Sequence, residues 1–202
     1  MSAIKCYDGL WPHMVSELNG MEKFKPLGLQ AVQKAAREFC RESERWRETL
    51  HSQNLTVDIT NYTVDWNYNA RIDRIEEVRW NTEDGIDAGN KGVVRPRAEW
   101  TYSPPETLDF ITAPVASVTN GLEIDVVLVP HLDSCDIAEW FLNRYAEPII
   151  GWAMHFLMSM QGKMWTNPQR ARQYMDDYHR GLTAAQAEKS RAFTVGYTAM
   201  GV

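Results

Sequence analysis

Residues 136–162 read DIAEWFLNRYAEPIIGWAMHFLMSMQG, and residues 168–191 read PQRARQYMDDYHRGLTAAQAEKSR. In the first segment Ile137, Phe141, Tyr145, Ile149, Trp152, Phe156 and Met160 recur every three or four residues, so they share one helical face. Asp136, with Glu139 three residues later, predicts a capping box. Gly162 stands where a helix ends in a left-handed residue. Asn167 followed by Pro168 predicts a cap and a first helical position. The second segment is polar with a thin apolar stripe. Together they predict two helices joined by a tight turn, a unit that carries no chemistry by itself.

Upstream, residues 26–50 (PLGLQAVQKAAREFCRESERWRETL) carry a stripe of Leu29, Val32, Ala36, Phe39 and Trp46. This predicts a further helix, closed by the polar run at 51–54. Trp11-Pro12 starts a short helix through Leu18, stopped by Asn19-Gly20. At Leu55 the period changes to two. Residues 55–62 (LTVDITNY) and 70–80 (ARIDRIEEVRW) alternate as half-buried strands do, the second with a bulge expected near Glu76-Glu77. Residues 81–97 are rich in Gly, Asp and Asn and predict a long hairpin tip or mobile loop. AEWTYS, TLDFITA and LEIDVVLVP are further strands, broken at Pro104-Pro105, Pro114 and Asn120-Gly121. In the last of them Leu122, Ile124, Val126 and Leu128 point one way, and Pro130 ends it.

Strands segregated from helices predict an α+β fold. Residues 1–51 and 132–191 are expected to form an antiparallel helical bundle of three to four helices. Residues 52–131 are expected to form an inserted antiparallel β lobe. Residues 192–202, AFTVGYTAMGV, lack a helical stripe and are expected to form an extended C-terminal tail, disordered or docked on a partner.

Composition narrows the function classes. A net charge of −6 argues against a sequence-independent DNA clamp and against an anionic membrane surface as partner. No signal peptide is visible, and the apolar run from Ile149 to Met160 falls short of the roughly twenty residues a spanning helix needs, so a soluble protein is expected. Three cysteines without a CxxC pair argue against a disulfide scaffold. Eight tryptophans favour a surface buried in neighbours.

Chemistry is sparse. The nucleotide-binding, zinc-protease and nucleophile-elbow motifs are missing, and the five histidines are scattered. The best metal-ligating cluster is His131, Asp133 and Cys135. The same residues also read as an ordinary strand-to-helix turn with acids at a helix N-terminus. His155 in the apolar run reads as a hydrogen-bonded core or groove histidine, and Cys40 as a helix-packed thiol beside Arg37, Arg41 and Arg45. Glu139 and Glu147 read as a cap and an ion-pair member. The charge alternation from Arg41 to Glu48 fits either a solvated helix face or an inter-subunit face whose paired charges fix register.

Two blocks resemble a known family. AVQKAAREFCRESERWRE, with Ala35, Ala36, Phe39, Cys40 and Trp46, resembles the first helix of phage head-to-tail adaptor (connector) proteins of short-tailed phages. YAEPIIGWAMHFLMSMQGKMWTNPQRARQYMDDY resembles their later helical hairpin through Glu147, Gly151, Ala153, Gly162, Lys163, Trp165, Asn167, Pro168, Ala171 and Tyr174. The resemblance covers about residues 25–190 and lies in the order and spacing of blocks. Loop 84–96 is longer than the family pattern.

The resemblance implies a structural virion protein, not an enzyme, assembled in the host cytoplasm and needing no cofactor or metal. It implies a homo-oligomeric ring, usually of twelve copies, that links the portal protein to a tail nozzle or hub protein. Genomic DNA would pass through the bore without specific binding. Portal contacts are expected from Phe193, Val195, Tyr197 and Met200. Subunit contacts are expected from Arg37, Arg41, Arg45, Arg47, Lys163 and Trp165, the last two also placing the turn between the helices. The alternatives are another head-closure or tail-completion protein, or a small metal-dependent enzyme using His131, Asp133 and Cys135.

Overall fold

The computed structural model describes residues 4–18, 22–64, 70–81, 92–131, 134 and 136–198. In chain order the elements are β1 (Ile4–Cys6), α1 (Trp11–Val15), α2 (Lys25–Ser43), β2 (Arg47–Leu55), β3 (Asn61–Thr63), β4 (Ala70–Trp80) and β5 (Val93–Val94). They continue as β6 (Trp100–Ser103), β7 (Thr107–Phe110), β8 (Val118–Pro130), β9 (Asp136–Ala138), α3 (Glu139–Met158) and α4 (Pro168–Thr198). The fold is α+β. Two compact units divide the chain: Met1–Arg45 with Pro130–Val202, and Trp46–Val129. The divisions fall at 45/46 and 129/130, where the sequence pattern placed them at 51/52 and 131/132.

The first division moves because α2 stops early. Glu44 adopts φ 51° and ψ 34°, and its amide donates to the Cys40 carbonyl at 2.9 Å, which closes the helix with a left-handed residue. Arg47–Leu55 then pairs antiparallel with β8, from Arg47 opposite Val127 to Leu55 opposite Val118. The charged residues after Ser43 suit a helix locally, but the ladder to β8 offers six of the nine residues of β2 a cross-strand partner and overrides that propensity. Residues 55–62 are likewise not one strand. They hold the end of β2, a turn and the start of β3.

In the helical unit α3 packs on α4 and α2. The buried face of α3 follows the expected stripe through Phe141, Tyr145 and Ile149, then shifts to Ala153, Met154 and Leu157, leaving Trp152 and Phe156 half-buried. Pro148 explains the shift. Its ring has no amide and crowds the carbonyl four residues back. Tyr145 leaves helical geometry there, with φ −117° and ψ 21°. At the N-terminus of α3 the capping box is not formed: the cap is Ala138 without a side-chain bond, because Asp136–Ala138 pairs with Ile4–Cys6 as strand. At α4 the cap forms as expected, with the Arg170 amide donating to Asn167 Oδ1 at 3.1 Å. The expected extended tail is also corrected. Residues 192–198 continue α4, since no proline intervenes and a nucleated helix adds one bond per residue. Residues 199–202 lie outside the described residues.

Two glycines set how closely α3 and α4 approach. A Cβ on Gly181 would lie 2.5 Å from Pro148 Cβ, and one on Gly151 would lie 2.9 Å from the Tyr174 carbonyl oxygen. Gly181→Ala should therefore destabilise the helical unit by about 1–2 kcal/mol, although alanine is the better helix former by about 1 kcal/mol. A stabilised variant in urea unfolding would mean that the helices yield at this contact.

The β unit holds two sheets, with strand orders β2-β8-β4-β5 and β3-β7-β6. In β8 the expected inward residues Leu122, Ile124, Val126 and Leu128 are buried, and so are Val127 and Val129, so its last turn of sequence is covered on both sides. Asn120-Gly121 is not a break. Asn120, at φ 55°, is a kink within β8, and its amide donates to Asn54 Oδ1 at 3.0 Å. In β4 the buried positions step by three from Ile72 to Ile75 to Val78, so strict alternation fails. The Pro104-Pro105 bond, between β6 and β7, is cis. Trp80 and Tyr62 pack on Phe110 with ring centroids 4.8 and 5.5 Å away.

Candidate interaction surfaces

The four arginines expected on one face are divided by the end of α2. Arg37 and Arg41 lie on α2. Arg45 points into the helical unit: its Nε donates to Tyr145 Oη at 3.1 Å, and Nη2 is 3.6 Å from Glu188. Tyr145 Oη in turn donates to Glu188 Oε2 at 3.0 Å, and Arg144 caps the same carboxylate. Arg47 lies in β2 and pairs with Glu76 at 2.8 Å. A shared row of four would need a helix through residue 47, and the left-handed Glu44 removes it. Arg45 and Arg47 are held by partners within their own units.

The Arg45–Tyr145–Glu188–Arg144 network ties α2, the kink of α3 and α4 together. The Arg144 hydrogen bond is the main cause that holds the Glu188 carboxyl below its ordinary range, with Tyr145 and Arg45 adding to it. A depressed carboxyl contributes stability above its unfolded pKa and loses it as the pH falls through the folded one. Wild type should accordingly exceed Glu188→Gln in stability at pH 7, and the gap should close as the solution passes below the carboxylate range. The margin is small because the carboxylate is only half-buried and solvent screens it. Urea titrations of both proteins at pH 7 and pH 3 measure it; a gap unchanged at pH 3 would contradict the linkage.

Trp165 is only 5% exposed. Its Nε1 donates to the Leu157 carbonyl at 2.9 Å, and its ring meets Phe24 edge-on at 4.5 Å. Its ring is thus taken up by contacts within the helical unit, with little surface left exposed. Lys163 is exposed in the same turn, its amide donating to Thr166 Oγ1 at 3.0 Å. His155 Nδ1 donates to the Ala171 carbonyl at 3.0 Å, which joins α3 to α4 and matches the reading of a hydrogen-bonded groove histidine. Cys40 is fully buried in α2, as a packed thiol should be.

His131 is exposed at the end of β8, while Asp133 and Cys135 lie outside the described residues. Among the described residues no group of three His, Cys, Asp or Glu side chains is placed to hold a metal. Phe193, Val195 and Tyr197 lie on the helical backbone of α4; Met200 lies outside the described residues. Residues 84–91 of the long loop also lie outside them. The rest of that loop supplies Val93–Val94, paired with Arg79 and Trp80 of β4. No helix among the described residues is long and apolar enough to cross a membrane.

One surface was not foreseen. Val57, Ile59, Ile111 and Val115 are exposed by 41–83% in the β unit. Two segments carry them, and backbone contacts hold these side by side: the Val57 amide donates to Ser117 Oγ at 2.9 Å, and the Asp58 amide to the Pro114 carbonyl at 3.3 Å. These two neighbouring segments thus each carry exposed large apolar side chains. The alternation at 55–62 disguised Val57 and Ile59 as strand residues. The signal available in sequence was Asp58, a residue type that tolerates the left-handed conformation it adopts at φ 62°.

No protein-family model matches the chain, and no curated protein matches it.

Proposed function

We propose that the protein is a structural virion component, a head-to-tail adaptor that forms a ring beneath the portal of a short-tailed phage. The observation that carries this reading is where the residues of the resemblance fall. Ala35, Ala36, Phe39 and Cys40 are fully buried along α2. Gly151 marks a close approach of α3 to α4, Ala153 and Ala171 are buried, and Trp165 locks the turn. Gly162 adopts φ 69°, and Asn167 and Pro168 begin α4. The shared pattern is thus the packing code of three helices, read as the ring-forming bundle, with a β unit inserted between the first and the second.

In this account no residue is catalytic and function resides in contact surfaces. Exposed Arg41 and Lys163 are offered to a neighbouring copy. The exposed apolar group at Val57, Ile59, Ile111 and Val115 is offered to the tail protein. Residues 192–202 engage the portal as a helical arm at least to Thr198, in place of an extended strap. A ring of twelve copies would carry roughly −72, which repels a polyanion and lets it slide through a bore. Removal of residues 192–202 should abolish attachment to the portal in a co-sedimentation assay while the circular dichroism spectrum keeps its helical form. Undiminished saturation of the portal by the shortened protein would overturn the portal role of this segment.

A further inference from the structure

Ala171, Tyr178, Leu182 and Ala185 are buried on one face of α4, at helical spacing. The next position on that face is Glu188, so apolar packing gives way there to charge. Arg144 of α3 donates to both carboxylate oxygens of Glu188, and Tyr145 Oη donates to Oε2 at 3.0 Å. Arg45 Nη2, just beyond α2, lies 3.6 Å away. Arg144 and Tyr145 are adjacent, and adjacent residues of a regular helix point about 100° apart. They converge on one carboxylate at the place where α3 leaves helical geometry. The two helices run antiparallel, with Gly151 beside Tyr174, Pro148 beside Gly181 and Arg144 beside Glu188. From Arg144, α3 extends five residues back to Glu139, whereas from Glu188 α4 extends ten residues on to Thr198. The end of α4 therefore outruns the start of α3.

We propose that Arg144 and Glu188 form an electrostatic latch: it holds the last turns of α4, residues 189–198, to the helical unit and releases them as a segment when its charges are removed or screened. Up to Ala185 the helix is held by apolar burial, which salt does not screen. At Glu188 it is held by charge-assisted bonds to guanidinium groups. The side chains of Arg144 and Glu188 are 57% and 31% exposed, so dissolved ions reach them. Local opening starts where a fold has few buried apolar contacts, and a helix end anchored by charge is such a place. The inference deepens the portal role proposed for residues 192–202 and rests on that reading for its purpose, since the latch sets how the arm is presented. Its test uses the chain alone, so either reading can fail without the other.

The test is hydrogen–deuterium exchange of the full chain, read by mass spectrometry over residues 189–198 and 171–185. In wild type at low salt the amides of 189–198 should be protected, but less than those of 171–185, because the end opens without the rest. Arg144→Gln should speed exchange of 189–198 about threefold. Glu188→Gln should do the same, and Arg144→Lys should recover part of the loss. The charge-swapped pair, Arg144→Glu with Glu188→Arg, should also recover part of it. Raising sodium chloride to about 0.5 M should speed exchange of 189–198 in wild type and leave Arg144→Gln nearly unchanged. Circular dichroism establishes that each variant keeps its helices. The proposal is overturned if residues 189–198 exchange equally in wild type and Arg144→Gln, or if salt acts equally on the two proteins. It is also overturned if 189–198 and 171–185 are equally protected in wild type, which would make α4 one cooperative element without a latch.

Discussion

Phe39→Ala is expected to lower the stability of the helical unit by about 3–5 kcal/mol. Phe39 is fully buried in α2, and three aromatic rings surround it: Tyr145 at 5.1 Å, and Phe141 and Tyr178 each at 6.0 Å between centroids. Truncation removes the transfer energy of the ring and leaves a cavity bounded by flat, rigid neighbours, which collapse into it poorly. Edge-on aromatic contacts add about 0.5–1.5 kcal/mol each beyond buried area. The site also lies beside two polar anchors. Tyr145 belongs to the Glu188 network, and Tyr178 Oη donates to Glu42 at 3.0 Å, its hydroxyl pKa pushed upward by burial first and that bond second. Phe39→Leu should retain most of the stability, with a loss below about 1.5 kcal/mol. Urea unfolding followed by helical ellipticity measures both. A loss under 1 kcal/mol for the alanine variant would show that the helices do not close around this ring.

Arg79→Met should destabilise the β unit by about 2–3 kcal/mol, and added salt should restore part of the loss. The Arg79 guanidinium donates to Glu77, Glu123 and Asp125, the last also accepting from Thr49 Oγ1 at 2.7 Å. Burial opposes the charge on Arg79, but Asp125, Glu77 and Glu123 together outweigh it and raise its pKa. The side chains of Arg79 and Glu123 are 21% and 12% exposed, so screening is incomplete and the cation cannot be replaced by water alone. Its loss leaves three carboxylates facing one another across β4 and β8. Thermal unfolding at low and high salt distinguishes this from lost packing, which salt would not restore. A variant as stable as wild type at low salt would remove the network as a determinant of the sheet.

Much of the helical unit was legible because local signals and tertiary needs agreed there. Asn167 caps α4, and Phe39 and Tyr145 sit on the faces that periodicity assigned. The failures have separate causes. Pro148 turned the face of α3, which a fixed period does not anticipate. The charges at Arg45 and Arg47 continue a helical pattern, yet the chain turns at Glu44 because β8 needs an edge partner. Asp136 and Glu139 have the form of a capping box, but β1 claims the backbone of Asp136–Ala138. The surfaces were the least legible. The row of Arg37, Arg41, Arg45 and Arg47 is visible in the sequence as charge. Only the fold shows that Arg45 and Arg47 leave it. Val57, Ile59, Ile111 and Val115 come from segments over fifty residues apart, so no local pattern could group them.

The adaptor account rests most directly on stoichiometry with a portal. The measurement is the native mass of the complex formed when the purified protein is mixed with the portal ring of the same phage, beside the mass of the protein alone. The account predicts saturation at one copy per portal subunit, with little assembly in the absence of the portal. A protein that stays monomeric in the mixture and leaves the portal mass unchanged would contradict it.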